Sequence, residues 1–289
     1  MARGSDILFD RRCTVTLDTI QFDALDVQFT VVKTLKPQPN TCELTVWNLN
    51  EEHRQQLQQL NPTKNPATSG VPCKIEAGYK DNVSQIWLGD LRTVETTREG
   101  PDFLTKLTSG DGERGWANGR MHVSYGPNTS IDTVFRGMAR ALGVSEGNLA
   151  KVVSKLKIAG SAAFTAGVVI SGSVSTHLTE LARSAGLEVS IQDSALQFLD
   201  LNKAAAGTSI PLTSDDQSRS GKTGLVESPT VDQKGVLTAK SLMVAGAHCG
   251  GLVTVDSLFV QGTYRIEKLT WTAERAGTDW FVEFQGHRY

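Results

Sequence analysis

Two short stretches have the residue types and spacing of nucleotide chemistry. Gly110-Asp111-Gly112-Glu113-Arg114-Gly115 fits G-x-G-x-x-G, the spacing that lets backbone approach a dinucleotide pyrophosphate at a helix N-terminus. Asp132 falls near the distance expected of a ribose carboxylate. That chemistry needs a helix opening inside the motif with an apolar stripe behind it. Trp116-Ala117-Asn118-Gly119 follows instead, so the stretch predicts a connector. Gly221-Lys222-Thr223 resembles the end of a P-loop, yet Asp216 stands where its first Gly belongs. No apolar strand precedes it and Pro229 follows soon after. A phosphate cradle requires strand, loop and helix together.

The remaining reactive residues are dispersed. His53, His122, His177, His248 and His287 are spread along the chain, with His53 and His177 on polar positions of predicted helices. His248 and Cys249 are adjacent, but neighbours in a turn usually point apart. No Gly-x-Ser-x-Gly elbow or His-Glu-x-x-His occurs. Paired carboxylates would suit a glycosidase. Asp215-Asp216 lies in a polar stretch that charge keeps solvated, and Glu51-Glu52 is explained by a helix start. Asn82-Val83-Ser84 matches a glycosylation acceptor, which carries meaning only on secretion. Cys13, Cys42, Cys73 and Cys249 form no Cys-x-x-Cys pair and have no ligand spacing to a His. They read as buried free thiols in a reducing compartment. The sequence therefore predicts no catalytic, cofactor-binding or metal-binding residues, and no cofactor.

The composition is that of an ordinary globular protein. The chain has 289 residues, 39% hydrophobic and 21% charged, with formal net charge −2. That length holds two or three small domains. Basic and acidic residues are interspersed, without the clustered basic face of a nucleic-acid binder. Met1 to Asp6 lacks a signal-peptide core, and no apolar run suffices to span a bilayer. The expectation is a protein made and kept, or assembled, in a cytoplasm, with no specific nucleic-acid or membrane binding.

The elements follow from periodicity. Alternation at Val27-Phe29-Val31 and Cys42-Leu44-Val46 predicts strands between Thr14 and Val46, broken at Pro37 and Pro39. Asn50 is a good N-cap for a short surface helix over Glu51 to Leu60. Strands resume at Cys73 to Ala77 and Gln85 to Leu88. In the middle, Thr129 or Ser130 caps a helix whose Ile131, Val134, Phe135, Met138 and Leu142 form an amphipathic stripe closed by Gly143. A second helix runs from about Val174 to Ala185, capped by Ser173. Leu187–Ile191 and Leu196–Leu199 make a hairpin across Asp193-Ser194. Asn202 to Ser228 has no periodicity and predicts a long exposed loop. From Gly235 the chain is β again, with Leu258 to Gln261 in a turn.

The last hairpin, Gly262 to Gln285, organises this reading. Trp280, Val282 and Phe284 alternate with polar or outward residues, and Arg275 to Asp279 forms the turn. An echo lies upstream. Gly89-Asp90-Leu91-Arg92 parallels Gly262-Thr263-Tyr264-Arg265. Arg98-Glu99-Gly100-Pro101-Asp102-Phe103-Leu104 parallels Arg275-Ala276-Gly277-Thr278-Asp279-Trp280-Phe281. The spacing between the blocks differs by four residues. Either one small β domain occurs twice, with Leu91 matching Tyr264 and Phe103 matching Trp280, or two short hairpins coincide. The domain reading is a first β-barrel domain over 1–115, a small α+β domain over 116–200, and an exposed loop with a second β-barrel domain over 201–289. The fold class is mainly β with an α+β insertion.

The order of several loose motifs carries a resemblance. Val46-Trp47-Asn48-Leu49-Asn50-Glu51, Ala77-Gly78-Tyr79, Ile86-Trp87-Leu88-Gly89-Asp90-Leu91 and Asp111-Gly112 come first. Gly224-Leu225-Val226-Glu227-Ser228-Pro229, Gly250 to Val255 and Gly262 to Ile266 follow. In this order the chain resembles, over nearly its whole length, the baseplate hub proteins of tailed bacteriophages and related contractile injection machines. The resemblance implies a homotrimer, each subunit giving two tube-type β-barrel domains to a ring with sixfold appearance. It implies a structural adaptor between a hexameric tail tube protein and a trimeric spike or tail-tip protein. Tape measure and other baseplate proteins are further expected neighbours, and the virion tail baseplate is the expected location. The length of the loop from Asn202 to Ser228, and its Lys222-Thr223, depart from the family pattern. A tail-associated cell-wall hydrolase is the alternative from another class, and a carbohydrate-binding β protein a third; neither has a supporting site.

Overall fold

The computed structural model describes residues 10–23, 25–66, 70–153, 157–158, 160–213 and 224–289. Contacts group the chain into two units. One comprises Met1–Lys33, Thr41–Gly110 and Ala205–Tyr289, and the other Thr34–Asn40 and Asp111–Ala204. In chain order the first stretch holds β1 (Arg11–Leu17), β2 (Ile20–Phe22), β3 (Val27–Thr34), β4 (Thr41–Trp47), α1 (Glu51–Gln59), β5 (Pro72–Tyr79), β6 (Asn82–Glu99) and β7 (Asp102–Gly110). The middle holds α2 (Glu113–Asn118), β8 (Arg120–Tyr125), β9 (Thr129–Ser130), α3 (Ile131–Leu142), α4 (Leu149–Val152), β10 (Ala163–Phe164), β11 (Val168–Ser173), α5 (Val174–Ser184), β12 (Leu187–Gln192) and β13 (Ala195–Asp200). The last stretch holds β14 (Ile210–Thr213), β15 (Thr230–Val231), β16 (Val236–Leu242), β17 (Leu252–Asp256), β18 (Gln261–Glu274) and β19 (Trp280–Arg288). The protein is thus mainly β with a small α+β part. Among the described residues no helix is long and apolar enough to cross a membrane.

The α+β unit is built as its sequence pattern requires. Along α3, Ile131, Val134, Phe135, Met138, Ala139 and Leu142 are buried, and Gly143 closes the helix at φ +70°. A left-handed position there suits Gly because it has no Cβ to strain. Phe135 meets Phe198 edge-on at 5.4 Å. The Ser130 hydroxyl, helped by Arg136, holds the Asp132 carboxyl below the usual carboxylate range. The β12–β13 hairpin turns at Asp193 and Ser194, both at positive φ, the geometry that matches strand twist.

A buried polar knot fixes that hairpin. The Asp111 carboxylate accepts from the Asp193 and Ser194 N–H groups at 2.7 and 2.6 Å. Asn40 donates to Asp111 and to the Ile191 carbonyl, at 3.2 and 2.8 Å. Gln192 donates to the Thr34 carbonyl at 2.8 Å. Thr34 to Asn40, read from sequence as a mere break between strands, therefore belongs to this unit through its hydrogen bonds.

Two expectations need correction. The stretch after Gly112 is not a plain connector, because α2 forms there. It is only one and a half turns long and buries no residue. Asn202 to Ser228 is not wholly an exposed loop. β14 pairs in parallel with β17, and Leu212 is fully buried. Gly224 and Val226 hydrogen-bond β16. Four residues including Pro211 are too short for a periodic signal, and Pro is tolerated at a sheet edge. Residues 214–223, with Asp215, Asp216 and Lys222, lie outside the described residues.

Candidate assembly interface

The residues first considered for chemistry are explained by packing. A Cβ on Gly115 would stand 1.8 Å from the Leu142 carbonyl oxygen, and one on Gly112 2.8 Å from Ile191. These glycines let α2 approach its neighbours closely and build no phosphate site. Asp111, just before them, is fully buried and accepts from the hairpin turn. His248 is exposed whereas Cys249 is buried, so the pair does point apart. His53 meets Phe22 edge-on at 5.8 Å. His122 Nδ1 lies 3.0 Å from Ser171 Oγ, and His177 Nε2 lies 3.0 Å from the Ser171 carbonyl; no sequence spacing had joined them. The four cysteines are free and buried. Burial raises the Cys42 thiol and pushes those of Cys13 and Cys73 up to about 12. Among the described residues no three His, Cys, Asp or Glu side chains are placed to share a metal ion.

The β unit presents edges instead. Its strands lie in the order β4-β7-β6-β5 in the first half and β16-β19-β18-β17 in the second. Each central hairpin carries one bulge, at Arg92 in β6 and at Glu267 in β18. Such a bulge twists a pair and fixes its register. Counted from the bulges, Phe103 matches Trp280 and Leu107 matches Phe284. Leu91 matches Ile266, so the expected match to Tyr264 is wrong; Tyr264 corresponds to Gly89. The arms differ less than the sequence blocks suggested, because the turns differ: Gly100-Pro101 in one, Arg275 to Asp279 in the other. Cys73 faces Gly89 as Val253 faces Tyr264.

The halves join through main chain. β3 is hydrogen-bonded to β18 as well as to β4. Arg275 N–H donates to the Val27 carbonyl at 2.9 Å, and Gln28 donates to Glu274 at 2.9 Å. Further along, the Lys33 ammonium sits 5.8 Å above the Trp271 ring. The partners descend as β3 ascends, so the strands are antiparallel. Arg11 donates to the Glu274 and Gly277 carbonyls at 3.1 and 2.7 Å. The fully buried Trp280 meets Phe29 and Tyr79 edge-on at 6.3 and 6.4 Å.

The edge of β6 equivalent to the one β3 fills has no strand beside it among the described residues. Past Leu91, whose N–H donates to the Val71 carbonyl at 2.8 Å, β6 pairs only with β7 among the described residues. The Arg92 and Val94 carbonyls point outward and accept from the Thr63 hydroxyl at 3.2 Å and the Asn61 amide at 2.8 Å. α1 stands off from this edge and leaves a groove of about 1040 Å³ lined by Gln55, Gln58, Asn61 and Thr93 to Thr96. α1 starts where Asn50 accepts from the His53 N–H at 2.7 Å and is anchored by the fully buried Leu57.

A family model described as baseplate hub gp41 matches residues 12–286. Among solved structures the chain is similar to the tail protein from Neisseria meningitidis MC58, with TM-score 0.65, 8% identity and 96% of each chain covered. It is similar to the 43 kDa tail protein of prophage MuSo2 from Shewanella oneidensis, with TM-score 0.61, 10% identity and coverage of 96% and 98%. The E. coli c3393 protein is described as a type VI secretion system component with structural similarity to T4 bacteriophage tail proteins gp27 and gp5. It matches with TM-score 0.53 and 9% identity over 95% of this chain and 76% of its own. No curated protein sequence matches.

Proposed function

The chain belongs to the baseplate hub gp41 family, and we propose that it acts as a structural adaptor, three copies forming a ring in a phage tail. In this reading 1–115 and 201–289 are two tube-type β-barrel domains and 116–200 is the α+β domain between them. The ring joins a hexameric tail tube to a trimeric spike or tip. The observation that carries the reading is the repeated strand order, with a bulge at the same place in both hairpins. Something must convert six into three at such a joint. Three chains with two alike domains each present six similar units to the tube while keeping threefold symmetry for the tip. A closed ring also removes strand edges that would otherwise recruit wrong partners.

The partners are then a tail tube protein, a spike or tip protein, and tape measure and other baseplate proteins. The location is the virion baseplate, assembled in the host cytoplasm. The role is non-enzymatic, in keeping with histidines, cysteines and glycines that serve packing and hydrogen bonding within the fold. Native mass spectrometry of the purified chain tests this and is expected to give three copies. Zymography on bacterial cell wall is expected to show no clearing. A six-copy assembly, or hydrolysis lost on one substitution, would overturn the reading.

A further inference from the structure

We propose that the outer edge of β6 over residues 96–99, at the end of the groove, receives residues 228–231 of a second copy of this chain as an added strand. This rests on the ring reading and names the surfaces that close the ring. The argument starts from the junction already present within the chain, where β3 fills the outer edge of β18. Each member of that junction has an equivalent elsewhere. The equivalent of β18 is β6, whose outer edge lines the groove. The equivalent of β3 is the segment ending in β15. Thr30 faces Glu43, which faces Thr108; Thr230 faces Thr238, which faces Gln285. Thr108 and Gln285 are themselves equivalent, each opposite the first residue after the bulge.

Among the described residues the outer side of that segment is also open. Its inner side is bonded to β16, from Val226 N–H to Lys240 at 2.9 Å and from Leu242 N–H to Gly224 at 2.7 Å. β15 ends the path of the main sheet. Val226 and Val231 are 43% and 42% exposed, whereas Val27 and Val31 in the filled junction are 3% and 0% exposed. Two open strand edges are complementary by main-chain hydrogen bonding, here without a donor from Pro229. Asn61 and Thr63 occupy two outward carbonyls of β6, which guards the edge against indiscriminate pairing. The Thr97 hydroxyl oxygen is buried without a hydrogen-bond partner. In the filled junction the antiparallel count from Gln28 and Glu274 sets Thr30 opposite Thr272. The same register sets Thr230 of the second copy opposite Thr97.

Disulfide trapping tests the pairing. Facing residues of antiparallel strands bring Cβ atoms to about 4.5–5.5 Å, close to disulfide reach. The four native cysteines are buried and should not compete. The full-length double variant Thr97→Cys/Thr230→Cys is oxidised and run without reductant, beside Thr97→Cys/Phe259→Cys as control. A closed covalent species of three chains is expected for the first and none for the control. If the first variant fails to fold, Thr96→Cys/Val231→Cys probes the neighbouring pair of the same register with the same expectation. A native three-copy mass without interchain disulfide in either pair overturns the pairing and leaves the ring. Interchain disulfide in a six-copy assembly keeps the pairing and overturns the ring. Intrachain disulfide, or equal trapping in the control, overturns the pairing.

Discussion

The two halves of the β unit share a strand order and a bulge but differ in what surrounds them. In the second half, Trp271, Trp280 and Phe284 are fully buried and β3 lies along the hairpin. In the first, Phe103 is only half-buried, under the Arg54 and Arg98 guanidinium groups at 4.0 and 5.6 Å. α1 flanks the β6 edge there, with the Gln58 amide 3.5 Å from Thr96 Oγ1. The tips differ too: Leu258 and Phe259 are 59% and 78% exposed at one, while Lys80-Asp81 turns the other. Strand order and register survive wide change in side chains, because main-chain pairing and alternation specify them. What flanks an edge decides whether a strand of the same chain is added to the hairpin.

The largest effect should separate Trp280 from its counterpart. Trp280→Ala removes a ring shared by both halves and should cost about 3–5 kcal/mol. Phe103→Ala should cost about 1 kcal/mol, chiefly a cation–π contact. Denaturant midpoints measure both, and equal costs would break the asymmetry. Next come two glycines at the hairpin ends. A Cβ on Gly286 would lie 1.9 Å from the Arg265 carbonyl oxygen, whereas one on Gly110 meets the movable Arg92 guanidinium. Gly286→Ala should cost about 1–3 kcal/mol through backbone displacement, and Gly110→Ala less. A reversed order in thermal melts would show that the β18–β19 register is wrong.

The thiols distinguish the halves by pH. Cys73 corresponds to Val253, so the second half has no thiol at that place. Burial raises Cys73 from 9.0 to about 12. The unfolded thiol releases its proton near pH 9 and the folded one only near 12. The sign is a loss of stability as pH rises through that window, with none below it. The slope is about 1.4 kcal/mol per pH unit. Cys73→Val should reduce the decline between pH 8 and 10.5 in urea titrations; an unchanged slope would contradict it. The smallest effect concerns α1, which only the first half has. Asn50→Ala should cost about 1 kcal/mol as a lost N-cap, read by thermal melt. No change would mean that Leu57 alone places the helix.

Much of the fold was legible because it is local. The alternation of Trp280, Val282 and Phe284, the stripe of α3 and the Asn50 cap are each written within a few residues. β8 and β11 were not read, since β8 is largely exposed and β11 buries only Ile170. β14 was missed for its four residues and its Pro. The match of Leu91 to Tyr264 failed because local similarity cannot reveal a bulge, which appears only in the pairing. Which edge is filled depends on β3 meeting β18, residues far apart in the chain, and no local pattern encodes that.

A reconstruction of the purified assembly at a resolution that separates strands tests the central claim most directly. The account predicts a threefold ring of three chains in which the β6–β7 and β18–β19 hairpins alternate in six equivalent places, with Phe103 superposing on Trp280. A ring of six chains, or hairpins lying at unrelated radii or orientations, would contradict it.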